Sequence, residues 1–153
     1  MSDEKPAQQL EILRIYVKDA SLECPNAPQI FNEQRQPQVN VQLGSAATAV
    51  AENLHEVVLT LTVEAKVEEK TAYLVEIQQA GLFAIRGFSD EDLHRILGAF
   101  CPNALFPFAR EALATLIGKG GFPPLLLNPV NFDALYFQRL QQEQQGQQAN
   151  IQH

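Results

Sequence analysis

From Val57 onward the chain places an apolar side chain at every second position, twice over, a period that a strand can use and a helix cannot. In the first run Val57, Leu59, Leu61, Val63, Ala65 and Val67 alternate with Val58, Thr60, Thr62, Glu64, Lys66 and Glu68. Glu68, Glu69 and Lys70 make a short polar link, and the period then resumes. Tyr73, Val75, Ile77, Phe83 and Ile85 fall on one parity, with Leu74, Glu76, Gln78, Ala80, Leu82 and Ala84 on the other. Two such runs joined by a tight polar link predict an antiparallel hairpin with one apolar face and one half-solvated face.

The flanking segments extend this pattern. Leu10 to Glu23 carries the β-rich run Ile12-Leu13-Arg14-Ile15-Tyr16-Val17 and stops at Cys24-Pro25-Asn26-Ala27-Pro28, where two prolines end a ladder. Beyond Pro37, Val39, Val41 and Leu43 alternate with Asn40 and Gln42 and predict a short strand. Helical signals come next. Ser89-Asp90-Glu91-Asp92 is an N-cap with carboxylates over the positive helix end, and Leu93, Ile96, Leu97 and Phe100 repeat at helical spacing. Pro102 and Pro107 should interrupt or kink the helix beyond, and Gly118, Gly120 and Gly121 should stop it. A proline-rich apolar loop, Phe122 to Leu127, leads to Asn131 as a second cap. Phe132, Leu135, Tyr136 and Leu140 then share one face of a last helix. From Gln141 the composition turns Gln-rich, which predicts a disordered tail. Strands first and helices afterwards define an α+β chain with helices on one sheet face. The expected organisation is a flexible start over 1–9, one domain over 10–140 and a disordered tail over 141–153, within 153 residues.

Chemistry-bearing patterns are missing. His55, His94 and His153 have no zinc-type spacing to one another or to Cys24 and Cys101. The cysteines lack a CxxC partner and read as reduced, packed thiols, which suits the cytosol. Cys101 and His94 lie two helical turns apart, ~10 Å, too far for a nucleophile and its base. Gly118-Lys119-Gly120-Gly121 ends a helix, whereas a phosphate cradle must open one. No metal, cofactor or catalytic role is expected. A polar, acidic start is no secretory leader, and no apolar run reaches the ~20 residues of a membrane span.

Charge and surplus apolar surface carry the functional reading. The net charge is −7, which disfavours nucleic acid and anionic membranes as partners. Nine acidic residues against three basic ones fall between Glu52 and Asp92. They either solubilise an exposed face or dock a basic partner, with Leu74 beside Glu76 as an apolar anchor. Phe31, Phe122, Leu125, Leu126 and Leu127 lie in proline-flanked loops. They either cover the core or line a groove or an oligomer contact.

Several segments together resemble the SecB family of bacterial export chaperones. They are Arg14-Ile15-Tyr16-Val17-Lys18-Asp19, Pro25-Asn26-Ala27-Pro28, Glu76-Ile77-Gln78-Gln79-Ala80-Gly81, Gly98-Ala99-Phe100-Cys101-Pro102-Asn103, Leu105-Phe106-Pro107-Phe108-Ala109-Arg110-Glu111 and Pro129-Val130-Asn131-Phe132-Asp133-Ala134-Leu135. The resemblance spans about Leu10 to Leu140. It implies a four-stranded antiparallel sheet with two helices on one face, assembled as a homotetrameric dimer of dimers. It also implies an ATP-independent holdase that takes unfolded preproteins in apolar grooves and delivers them to SecA. The SecA-facing surface maps onto Asp19, Glu23, Leu74 and Glu76, and assembly-sensitive positions map onto Val75, Ile77 and Gln79. The client groove corresponds to Phe31, Val39, Val41, Leu43, Leu126, Phe132, Leu135, Tyr136 and Leu140. Two alternatives are a SecB-like chaperone of a toxin–antitoxin pair and a small-ligand-binding α+β protein.

Overall fold

The structure, a computed structural model, describes residues 7–151. Four strands form one antiparallel sheet in the order β1-β4-β3-β2. They are β1 (Gln9–Glu23), β2 (Gln38–Ala51), β3 (Leu54–Val67) and β4 (Lys70–Arg86). The alternating runs are the central hairpin β3–β4, which pairs from Leu54 opposite Ala84 to Val67 opposite Lys70. Glu68 takes a positive φ of 55° in its turn. One parity is buried throughout: Val57, Leu59, Leu61, Val63, Val75, Ile77 and Phe83 are fully enclosed. The other parity is half-exposed from Val58 to Glu64 on β3 and at Leu74, Glu76 and Gln78 on β4.

Two helical arms complete the chain. The first is α1 (Asp90–Arg95), a wide π-type turn (Ile96–Phe100) and α2 (Cys101–Lys119), continuous in direction of chain. Ser89 caps it, its hydroxyl accepting the Asp92 N–H at 3.1 Å, with three carboxylates in the first turn. Of the interruptions or kinks expected at Pro102 and Pro107, the irregularity lies just ahead of Pro102 as this wide turn, while Pro107 does not interrupt α2. Proline has no N–H to give, and the Cys101 N–H reaches back five residues to the Ile96 carbonyl. Pro107 is carried inside α2. The arm ends where expected: Gly121, at φ 87°, donates to the Gly118 carbonyl and Phe122 to that of Ile117. Leu105, Ala109, Leu113 and Ile117, at helical spacing, bury one stripe of α2 against β4 and β3. The second arm, α3 (Phe132–Ile151), starts at Asn131, whose side chain accepts the Ala134 N–H at 3.0 Å.

Three expectations need correction. The strand at Val39 is not short: it runs to Ala51, because β3 offers an unbroken ladder that small residues Gly44 to Thr48 can join without any apolar pattern of their own. Where a disordered tail is expected from Gln141, α3 continues to Ile151; glutamine is a sound helix former, and the exposed Gln141, Gln142, Gln144 and Gln145 need no core. The start over 1–9 is also too long, as Gln9 opposite Arg86 already belongs to β1, while residues 1–6, like His153, lie outside the described residues.

Candidate functional site

The face of the sheet turned away from the helices carries the acidic group. Antiparallel register sets Glu23 opposite Leu74, Ser21 opposite Glu76 and Asp19 opposite Gln78. All four SecA-type positions therefore share one patch on β1 and β4, with Asp19 and Glu23 exposed and Leu74 and Glu76 half-buried. Glu64 joins them from β3, directly opposite Leu74. Sequence reading missed Glu64, although its parity in the alternating run was the signal. Lys66 lies 3.4 Å from Glu64, and among the described residues no cation is paired with Asp19, Glu23 or Glu76. The patch thus presents uncompensated negative charge around one apolar side chain.

Further along the same face a tie crosses the central strand. The Tyr16 hydroxyl donates a short hydrogen bond to Glu56, and Lys18 Nζ donates to the other carboxylate oxygen at 2.7 Å. The Glu56 bond, with burial second, pushes the Tyr16 hydroxyl up to about 12. Lys18 and then Tyr16 hold the Glu56 carboxyl below its ordinary range.

On the helix side, β2 is left uncovered. Val39, Val41 and Leu43 pair with Ala65, Val63 and Leu61, so they point to the same side as the core. The first helical arm lies mainly over β4 and β3. Val39 and Val41 consequently remain 41% exposed, which is unusual for valines on a sheet's apolar face. A cleft of about 490 Å³ opens at one end of this strip, where Val39 meets Phe31, Tyr73, Phe122 and Leu125. Phe122 holds it together, its ring 5.2 Å from Phe31 and 5.0 Å from Tyr73. A second cleft, of about 300 Å³, lies further along β2, where Ser45, Ala46 and Ala47 face Tyr136 and Leu140 of α3.

The groove residues read from the sequence are therefore divided. Phe31 and Val39 share the first cleft, and Tyr136 and Leu140 share the second. Phe132 is buried and anchors α3, its ring 5.7 Å from that of Phe106, while Leu43 packs on the core. Val41, Leu126 and Leu135 line neither cleft and stay exposed, Leu126 at 75%. Of the loop apolar residues, Phe122, Leu125 and Leu127 cover the core, whereas Phe31 and Leu126 stay exposed, Phe31 at the first cleft.

Val75, Ile77 and Gln79 occupy the parity beneath α2. Val75 and Ile77 have no exposed surface within the protomer, so a second chain cannot touch them directly. Gln79 is a buried polar side chain whose Nε2 donates to the Tyr16 carbonyl at 3.1 Å, beside the irregularity where β1 slips register between Val17 and Asp19. Cys101 is fully buried, and burial pushes its thiol up to about 12, which disarms it as a nucleophile. Among the described residues, no group of three or more His, Cys, Asp or Glu could hold a metal ion, and no helix is long and apolar enough to cross a membrane.

A helix-backed sheet with an uncovered apolar edge strand, two clefts along it and an acidic opposite face has the construction of a polypeptide-binding chaperone. Residues 3–143 match the family described as preprotein translocase subunit SecB. The protein-export protein SecB of Nitrosococcus oceani is 53% identical over 99% of this chain and 94% of its own length. That of Methylococcus capsulatus is 51% identical over the whole of both chains. Among solved structures, the fold is similar to that of the SecB-like chaperone Rv1957 of Mycobacterium tuberculosis, solved with a ChAD peptide from the HigA1 antitoxin. It superposes with a TM-score of 0.66 at 19% identity, covering 79% of this chain and 90% of that one. The chain belongs to the SecB family of protein-export chaperones, which is not a family of enzymes.

Proposed function

We propose that this protein holds unfolded preproteins along β2 and presents them to SecA through the acidic face of β1 and β4, in the cytoplasm and without a nucleotide. The observation that carries the proposal is the separation of the two surfaces. The apolar strip and its clefts lie on the helix side of the sheet, and Asp19, Glu23, Leu74 and Glu76 lie on the other. A client and a motor can then be bound together. Apolar client side chains are held by burial, at roughly 25 cal/mol per Å² removed from water, and a folded protein has buried most of its apolar segments already. A basic motor segment is drawn by charge, which salt screens.

The working unit is a homotetrameric dimer of dimers. Ile12, Leu13 and Val17 on β1 and Phe100 and Phe108 on the first helical arm expose apolar surface that partner copies would cover. Val75 and Ile77 act on assembly indirectly, through the seating of α2 above them. Gln79 acts through the irregularity of β1 that it supports.

Site-specific photocrosslinking tests the division of labour. A photoreactive side chain at Val41 should capture an unfolded preprotein, and one at Glu76 should capture SecA. Equal capture of the preprotein from both positions would overturn the two-face arrangement.

A further inference from the structure

The second cleft is walled in part by the wide turn that precedes Pro102. Pro102 has no N–H to give, and the arm takes the π-type turn Ile96–Phe100 just ahead of it. Gly98 lies in that turn and lacks a side chain where the Tyr136 ring comes down upon it. A Cβ there would stand 2.7 and 2.9 Å from the Tyr136 ring atoms Cδ2 and Cε2, well inside contact distance. The Tyr136 hydroxyl then hydrogen-bonds His94 Nδ1, one turn earlier in the same arm, at 2.5 Å. Tyr136 is only 6% exposed, although the residues around it on α3 are mostly solvated.

This contact helps to fix α3, beside the Arg95–Asp133 ion pair at 3.4 Å and the Arg95 guanidinium 5.3 Å from the Phe137 ring centre. Beyond the Phe132 anchor, α3 packs chiefly on the wide turn, and its sequence past Leu140 is polar. His94, Gly98 and Tyr136 also line the second cleft, opposite Ser45, Ala46 and Ala47 of β2. The dock and the cleft wall are one structure.

We propose that Gly98, Tyr136 and His94 form a dock that sets the distance of α3 from β2, so that Gly98 is a positioning residue for client capture. This rests on the reading of β2 and α3 as walls of the client groove. A side chain at position 98 displaces Tyr136, and α3 swings about its Phe132 end. The effect opposes helix propensity, since alanine is the better helix former and would by itself tighten the arm.

Hydrogen exchange and client affinity, measured together on the full chain, test it. The probe is reduced, carboxymethylated lactalbumin, a permanently unfolded polypeptide. Gly98→Ala should speed exchange of α3 amides over 132–146 about tenfold and leave β3 and β4 unchanged. It should weaken probe binding about fivefold, with SecA affinity unaltered. Tyr136→Phe keeps the ring and loses only the His94 bond, so it should show the same pattern at about twofold to threefold. Unchanged α3 exchange in both variants would overturn the dock itself. Faster α3 exchange with unaltered probe binding would leave the dock standing and show instead that α3 is no wall of the groove, which defeats the positioning role.

Discussion

Glu23 and Leu74 stand directly opposite each other across the β1–β4 pair, on the side of the sheet that faces away from the helices. Charge and an apolar anchor are thereby combined in one cross-strand pair, flanked by Glu76, Glu64 and Asp19. Exposed charge pairs are individually worth about 0–1 kcal/mol, so the effect on a partner must be cumulative. Asp19→Asn, Glu23→Gln and Glu76→Lys together should weaken SecA binding about tenfold at low salt and much less at high salt. Titration calorimetry at two ionic strengths measures this. An equal loss of client capture would mean that the patch is structural.

Val75→Arg and Ile77→Arg place a charge in the enclosed layer under α2 and not on an exposed contact. Each should destabilise the protomer by several kcal/mol, with any loss of assembly following from that. Ile77→Ala should cost about 2–5 kcal/mol through the cavity it leaves. Urea denaturation beside light scattering separates the two effects. A smaller assembly of undiminished stability would contradict this account.

Removing the Gln79 amide takes a donor away from the Tyr16 carbonyl. Gln79→Leu, close in size, should lower stability by about 1–3 kcal/mol and speed amide exchange around Val17. If exchange along β1 does not change, the hydrogen bond has no part in holding the irregular stretch.

On the proposed reading of β2 as the client strip, capture works by apolar burial and should resist salt. Val39→Asp with Val41→Asp is the cleaner probe, both residues being exposed on β2 while Leu43 packs on the core. The pair should abolish suppression of preprotein aggregation and change stability by less than about 0.5 kcal/mol per site. Normal capture would place the groove elsewhere.

The tie between Tyr16, Lys18 and Glu56 links stability to pH at both ends. The Tyr16 pKa is raised, so its contribution is complete below pH 10 and is lost as pH rises towards about 12. The Glu56 pKa is lowered, so its contribution is present above its ordinary carboxylate value and is lost as pH falls below that. Spectrophotometric titration should show a late phenol near pH 12 that disappears in Tyr16→Phe. Persistence of that phenol would assign it to another tyrosine.

What the sequence made legible is what local chemistry writes. The β3–β4 hairpin, the caps at Ser89 and Asn131 and the stop at Gly121 each depend on neighbours close in the chain, and each stands where read. The second half of β2 was illegible because pairing with β3 makes it a strand, and small residues carry no period. The helical run beyond Gln141 was misread because polar composition signals disorder and helix alike. The acidic patch followed from parity once the family's positions were mapped. The burial of Val75 and Ile77 depends on where α2 settles, and the Gln79 and Tyr16 bonds join residues 63 and 40 positions apart, which no local pattern encodes.

The two clefts make β2 a ruler. From Val39 to Ser45 is six residues of strand, or ~20 Å at the strand rise of ~3.3 Å per residue. An extended polypeptide spans that interval with six residues of its own, while a helix of six residues reaches only ~9 Å. A segment anchored at both ends must therefore be stretched out. On the proposed reading of β2 as the client groove, distance along the edge becomes a reading of conformation: chains that have begun to coil or fold are too short per residue to be measured as clients.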